Sequence, residues 1–276
     1  MIAAIQPDEV LGARWKKADK AVRAPHVTRM IEWFNTMTGW VTSMIVASED
    51  LKTRATVLSR FLEIAQYCEK YHCYNALMEI LGAFNSSPVR RLRLTWELVS
   101  KKELKFLETL RELMNHENNF ITYRTHLQSL NDEAVVPFIG LVVQDLFNMN
   151  ELPNKLSGSK LVNFRKLTMM GNAIHKFRST YQSIDFKFKP DHDIQYFLEN
   201  AFCVLSEADR MSFSKKAEVG PASRASIRAG LGARARPTAA EVVSAIQPKV
   251  VEQPGESSDD RSEDKEGSTA GPKQTL

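Results

Sequence analysis

Apolar residues along most of this chain recur at three- and four-residue spacing. The clearest case is Leu51, Ala55, Leu58, Phe61, Leu62, Ala65 and Cys68, the stripe that an α-helix lays along one face. A second such pattern starts at Pro25 and carries Val27, Met30, Ile31, Phe34, Trp40, Val41, Met44 and Ile45. Ser48, ahead of Glu49 and Asp50, has the chemistry of an N-cap for the helix that follows. Residues 75–84 form another apolar helix, stopped by Asn85-Ser86-Ser87-Pro88. Near the start, Pro7 with Asp8 and Glu9 suits a helical first turn, and Leu11 and Trp15 are spaced to share a face.

Two further stretches continue the theme: Val89, Leu92, Trp96 and Leu98 on a basic segment, then Leu104, Phe106, Leu107, Leu110 and Leu113. Phe120, Tyr123, Leu127 and Leu130 lead into residues 134–164. There an almost uncharged run, residues 135–147, gives way to a Pro- and Gly-containing turn and a second helical pattern. That is a helical hairpin, with a returning arm over residues 161–181. A closing helix is expected over residues 194–205. No stretch reads as a strand, so the expected fold is all-α: a single multi-helix domain with a protruding hairpin.

Composition changes the picture only at the C-terminus. Over the whole chain of 276 residues, 43% hydrophobic and 25% charged content is ordinary for a globular protein. Residues 217–276 lack aromatics and are rich in Gly, Pro, Ser, Ala and charge, a composition expected to stay disordered. The domain is therefore expected to occupy residues 1–212. The tail is split by charge, with Arg224, Arg228, Arg234 and Arg236 ahead of an acidic run from Glu252 to Glu266. Arg210-Met-Ser212 and Arg224-Ala-Ser226 place a cation two residues before a serine, a spacing common by chance.

A net charge of +4 gives no reason to expect a nucleic-acid partner. Three cysteines, Cys68, Cys73 and Cys203, do not make a disulfide framework and favour a reducing compartment. The apolar run 134–143 is short and carries Pro137 and Gly140, so no membrane insertion is expected. No signal-peptide pattern is seen, and a cytoplasmic protein is the expectation.

Catalytic chemistry is sought and not found. Gly158-Ser159-Lys160 lacks the spacing of a phosphate-binding loop. Cys68, His72 and Cys73 would need a fourth ligand to hold zinc, so no metal site and no cofactor are expected. The six histidines sit in no hydrolase motif. The four tryptophans lie scattered among helices, as core residues do.

Several short blocks, taken together, resemble a known family. They are Asn85-Ser86-Ser87-Pro88-Val89 with Arg91-Leu92 and Thr95-Trp96, and Ala134-Val135-Val136-Pro137-Phe138 with Gly140, Asp145 and Leu146. Ile5-Gln6-Pro7 with Trp15, Phe34-Asn35 with Trp40-Val41, and Asn119-Phe120 with Tyr123-Arg124 support them. So do Leu161-Val162-Asn163-Phe164 and Phe197-Leu198-Glu199-Asn200. In this order they resemble the catalytic domain of Ras-type guanine-nucleotide exchange factors, the RasGEF family, across residues 2–205. The chain departs from the family pattern at Val135 (usually Cys or Thr), at Phe120 (usually Tyr), and at Leu152-Pro153-Asn154 (usually Gly-Asn-Pro). The family's first helix and its N-terminal stabilising module are missing from this sequence.

The resemblance implies an exchange catalyst without covalent chemistry, acting on a Ras-family small GTPase of the Ras, Rap or Ral type. Phe147 falls where the family places an apolar group beside the GTPase's magnesium site, and Glu151 where it places a carboxylate near the phosphates. Contact with the GTPase is implied for Asn85, Phe120, Phe138, Gln144 and Asn148. Read from the residues alone, Phe147 is a core side chain and Glu151 a surface helix end, while Asn85 is equally a turn former. The alternative function is a degenerate module of the same fold that binds a GTPase or scaffold without exchange. Recruitment to the plasma membrane would come through the lipid-anchored GTPase.

Overall fold

The computed structural model describes residues 4–130, 133–158, 160–182, 189–200 and 204–218. Among them are thirteen α-helices and one 3₁₀ segment, with no strand beyond two isolated bridges. The all-α expectation holds. The helices are α1 (Pro7–Val10), α2 (Lys20–Arg23), α3 (Pro25–Ala47), α4 (Leu51–Lys70), α5 (Tyr74–Asn85), α6 (Ser87–Arg90) and α7 (Arg93–Glu97). They continue with α8 (Lys101–Leu113), α9 (Ile121–Ser129), α10 (Ile139–Glu151), α11 (Phe164–Gln182), α12 (His192–Asn200) and α13 (Glu207–Ala217).

The periodic stripe of α4 is buried as its spacing requires, from Leu51 to Ala65. It packs with Val41 and Ile45 of α3, Leu77, Leu81 and Phe84 of α5, and Leu107 and Leu110 of α8 into the main core. A second apolar cluster joins Ile5, Trp15, Val27 and Met30 to Ile139 and Leu146 of α10 and Ile174 and Phe177 of α11. This second cluster braces the hairpin from the N-terminal side.

Local details depart from the sequence pattern where polar groups take over. The cap of α4 is Asp50, whose carboxylate accepts from the Thr53 amide at 2.8 Å; Ser48 instead closes α3, its hydroxyl donating to the Met44 carbonyl. Leu11 and Trp15 do not share a face. The 3₁₀ segment Leu11–Lys16 turns through left-handed Gly12 and Ala13, burying Trp15 and leaving Leu11 exposed. Glu9 is buried at the start of α3, accepting from the His26 and Val27 amides at 2.8 and 3.1 Å. Burial pushes its carboxyl up, but the His26 ring and the backbone amides outweigh that and hold it below its ordinary value.

The packed body runs past residue 212, the edge expected from composition. Helix α13 continues to Ala217, and Glu218 is only 8% exposed. The Glu218 carboxylate accepts from the Leu94 and Thr95 amides and from the Thr95 hydroxyl, at 2.8–3.0 Å, capping the start of α7. Arg91 donates to the Ser214 and Glu218 carbonyls. Beneath them Arg54, 1% exposed, donates its Nε to the Thr95 hydroxyl and its Nη1 to the Ser48 and Glu49 carbonyls. Burial lowers the Arg54 pKa, and the Glu218 charge opposes that shift. The Arg91 and Thr95 block thus makes physical sense as the dock for the C-terminal segment. The rest of the tail expected to be disordered, residues 219–276, lies outside the described residues.

Candidate functional site: the helical hairpin

The hairpin is built as expected from residues 134–164, but its helices start later. Residues 133–138 are non-helical, α10 begins at Ile139, and α11 is entered at Phe164 after a twelve-residue connection. Pro137 has no amide to give a helix, and the residue before it is held out of the α region. The non-helical segment is clamped to α5 and α9. Tyr74 donates its amide to the Val136 carbonyl at 2.8 Å, and Val136 donates to His72 at 2.9 Å. Val135 is buried, so the family departure at this position replaces one small core side chain with another.

The first amides of α10 have no partners within the helix. The Tyr123 hydroxyl accepts from the Phe138 amide at 2.9 Å, and the Asn75 side-chain oxygen lies 3.4 Å from the Ile139 amide. Asn75 donates in turn to buried Glu79, whose carboxyl burial pushes up to about 8, against the lowering effect of that hydrogen bond.

Phe138 folds back over Gly140, where an added Cβ would stand 2.4 Å from the ring. That contact accounts for glycine two residues after the phenylalanine. The Phe138 ring lies 5.9 Å from Phe34 and 5.9 Å from Phe120, so three half-buried aromatics meet at the hairpin root. Phe120 is held there at φ 59°, the last of three consecutive left-handed residues with Asn118 and Asn119. Asparagine tolerates that conformation and phenylalanine rarely adopts it, so the turn is strained at its aromatic position. Arg124 fastens the turn to the hairpin, donating to the Asn119 carbonyl at 2.8 Å and to the Asp145 carboxylate at 2.7 Å.

Gly140, Gln144, Asn148 and Glu151 form the exposed stripe of α10, at spacings of four, four and three. Asp145 with Arg124 forms one shoulder of that stripe. Phe147 forms the other: it is half-buried against the second apolar cluster, and the Lys16 ammonium sits 3.3 Å from its ring centroid. Phe147 is thus neither fully core nor fully exposed. Glu151, exposed at the last position of α10, adds a negative charge to the negative end of the helix dipole.

Beyond Glu151 the described residues of the connection are exposed except Asn163, which is half-buried. The connection keeps its shape through Lys166, a cation only 4% exposed. The Lys166 ammonium donates to the Asn150 and Leu152 carbonyls and to the Asn154 side-chain oxygen at 2.6–2.7 Å. Asn163 donates to the Pro153 carbonyl and accepts from the Lys166 amide. Pro153-Asn154 and Asn163 therefore form one locked turn, closed by the Lys155–Val162 bridge. Lys166 escaped the sequence reading. The available signal was an Asn three residues before a Lys, just after a loop rich in carbonyl acceptors.

Of the residues singled out from sequence, Phe120 and Phe138 meet at the root, and Gln144, Phe147, Asn148 and Glu151 line the projecting helix. Asn85 stands apart. It is exposed at the far end of α5, about 15 Å along the helix from Asn75, with a long 3.5 Å contact from Arg111. Among the described residues no group of three or more His, Cys, Asp or Glu side chains could hold a metal ion, and no helix is long and apolar enough to cross a membrane.

An all-α body with a clamped, projecting hairpin agrees with what comparison with known proteins finds. Residues 1–168 match the RasGEF domain, and the chain belongs to that family. It is 37% identical over 202 residues to Ras guanine nucleotide exchange factor A of Dictyostelium discoideum, covering 71% of this chain and 33% of that protein. With Ras-specific guanine nucleotide-releasing factor 1 of Mus musculus the identity is 31% over 202 residues, 73% of this chain and 16% of the relative. With cell division control protein 25 of Saccharomyces cerevisiae it is 35% over 178 residues, 64% of this chain and 11% of the relative. The chain thus spans a third or less of the length of these relatives.

Proposed function

We propose that this chain accelerates GDP release from a Ras-subfamily GTPase of the Ras, Rap or Ral type, using α10 as a wedge. The observation that carries the reading is the exposed stripe of Gln144, Asn148 and Glu151 with Phe147 on its shoulder, on a helix fixed at both ends. A nucleotide held at picomolar affinity is worth about 16 kcal/mol of binding. An exchange factor removes it only by binding the nucleotide-free form more tightly than the loaded one, and rebinding nucleotide then expels the factor. Phe147 would crowd the magnesium ion out of its site. Glu151 would compete with phosphate for the cations of the GTPase's phosphate loop. Phe138 and Phe120 would grip the second switch segment from the hairpin root, with Asn85 as an outlying contact. The protein would act in the cytoplasm, brought to the plasma membrane by its partner.

The test is release of a fluorescent GDP from purified Ras, Rap and Ral. The chain should accelerate release from at least one of them. Phe147→Ala and Glu151→Ala should each lower the rate at least tenfold while the proteins stay folded. Binding with no acceleration on any GTPase would leave the non-exchanging module as the correct reading.

A further inference from the structure

The 3₁₀ segment Leu11–Lys16 has a consequence for the wedge. Its left-handed residues, Gly12 at φ 67° and Ala13 at φ 50°, turn the chain so that Trp15 plugs the second apolar cluster. The next residue, Lys16, is exposed yet directed, its ammonium 3.3 Å from the centroid of the Phe147 ring. The electron-rich face of an aromatic ring attracts a cation at this distance. Glu151 lies one helical turn beyond Phe147 on α10 and is exposed. Phe147 is therefore flanked by a positive group over its face and a negative group one turn away.

We propose that Lys16 is the cationic part of the wedge, pairing with the carboxylate that the GTPase uses to hold magnesium. The inference rests on the reading of α10 given above and adds a partner for a group that reading leaves alone. When magnesium leaves, the aspartate that binds it loses its counter-charge. Covering that carboxylate with an aromatic ring alone would bury an unpaired charge, which is strongly unfavourable. An ammonium carried on the ring face supplies the missing charge. Lys16 and Glu151 then mirror the ion pair they displace: a cation where the metal sat and a carboxylate where the phosphate sat. Lys16 and magnesium compete for one carboxylate, so the benefit from Lys16 must depend on free magnesium.

The experiment measures fluorescent GDP release from the responsive GTPase at free magnesium from about one micromolar to about ten millimolar. Wild type, Lys16→Met, Lys16→Arg and Phe147→Ala are compared, each checked for thermal unfolding. Lys16→Met keeps an apolar stem over the ring and removes only the charge. Its rate should fall about tenfold below wild type at micromolar magnesium. That gap should narrow as magnesium rises and takes the carboxylate itself, and Lys16→Arg should restore most of the rate. A loss of the same factor at every magnesium concentration would overturn the proposal, making Lys16 a packing residue; an unchanged rate would overturn it too. If wild type accelerates nothing, or Phe147→Ala is neutral, the wedge itself falls and Lys16 with it. Impairment in Phe147→Ala beside a magnesium-independent Lys16→Met sinks the role of Lys16 alone.

Discussion

The two ends of the hairpin are held by different means. At the root, a backbone bridge to α5, the Tyr123 hydroxyl, the Asn75 amide and the Arg124–Asp145 pair all converge within a few residues. At the tip, one buried ammonium gathers three oxygens from α10 and the connection behind it. The root shares its fastenings with the main core, so loosening it should cost the whole fold. The tip shares little with the core, so loosening it should cost geometry before stability. A projecting part can be shaped by a local lock without drawing on the core.

Lys166→Met offers the sharpest break of that comparison. It removes all three bonds at the tip, and exchange should fall at least tenfold with a shift of only about 2 °C in unfolding temperature. Hydrogen exchange of the amides in residues 150–156 should speed up while α4 and α5 stay protected. Global destabilisation in its place would erase the distinction between the two ends. Tyr123→Phe tests the root. It strips the acceptor from the partly buried Phe138 amide, an unmet bond worth about 1–3 kcal/mol, and should lower the unfolding temperature by several degrees.

The root also carries a pH dependence. Glu79 has its pKa raised by burial to about 8, from an ordinary value of 4.5. The folded protein binds a proton there that the unfolded chain has lost. Stability should therefore fall as pH rises from about 4.5 to about 8, by a few kcal/mol in all. Glu79→Gln should flatten that slope, measured by denaturant unfolding at a series of pH values. A slope unchanged in the variant would place the titration elsewhere. Arg124→Gln should have the smallest effect of the set, about 1 kcal/mol, because the pair with Asp145 is partly solvated. Hydrogen exchange should nonetheless show the turn at residues 118–120 loosened.

Much of this was legible in the chain. The α4 stripe, the all-helical class, the hairpin and the break at Pro88 follow from periodicity and backbone sterics; the late start of α10 behind Pro137 was not read. Residues that act against their usual preference were not legible. Lys166 reads as part of a solvated face because lysine is seldom buried, and only the fold reveals the carbonyls that hold it. Glu218 reads as tail because composition averages over windows, and one buried carboxylate does not change an average. Asp50 outcompeted Ser48 as a cap by a register of two residues. Lys16 beside Phe147 joins residues 131 positions apart, a contact that periodicity does not encode.

The Glu218 carboxylate bears on where this chain can be shortened. It caps α7 and stands beside the Arg54 guanidinium, whose side chain is only 1% exposed. A fragment ending at residue 212, where composition marks the edge, would leave the Leu94 and Thr95 amides and Arg54 facing an empty slot. The shortest fragment suited to expression and crystallisation therefore ends just after residue 218. Six added residues would separate a well-behaved protein from an aggregating one.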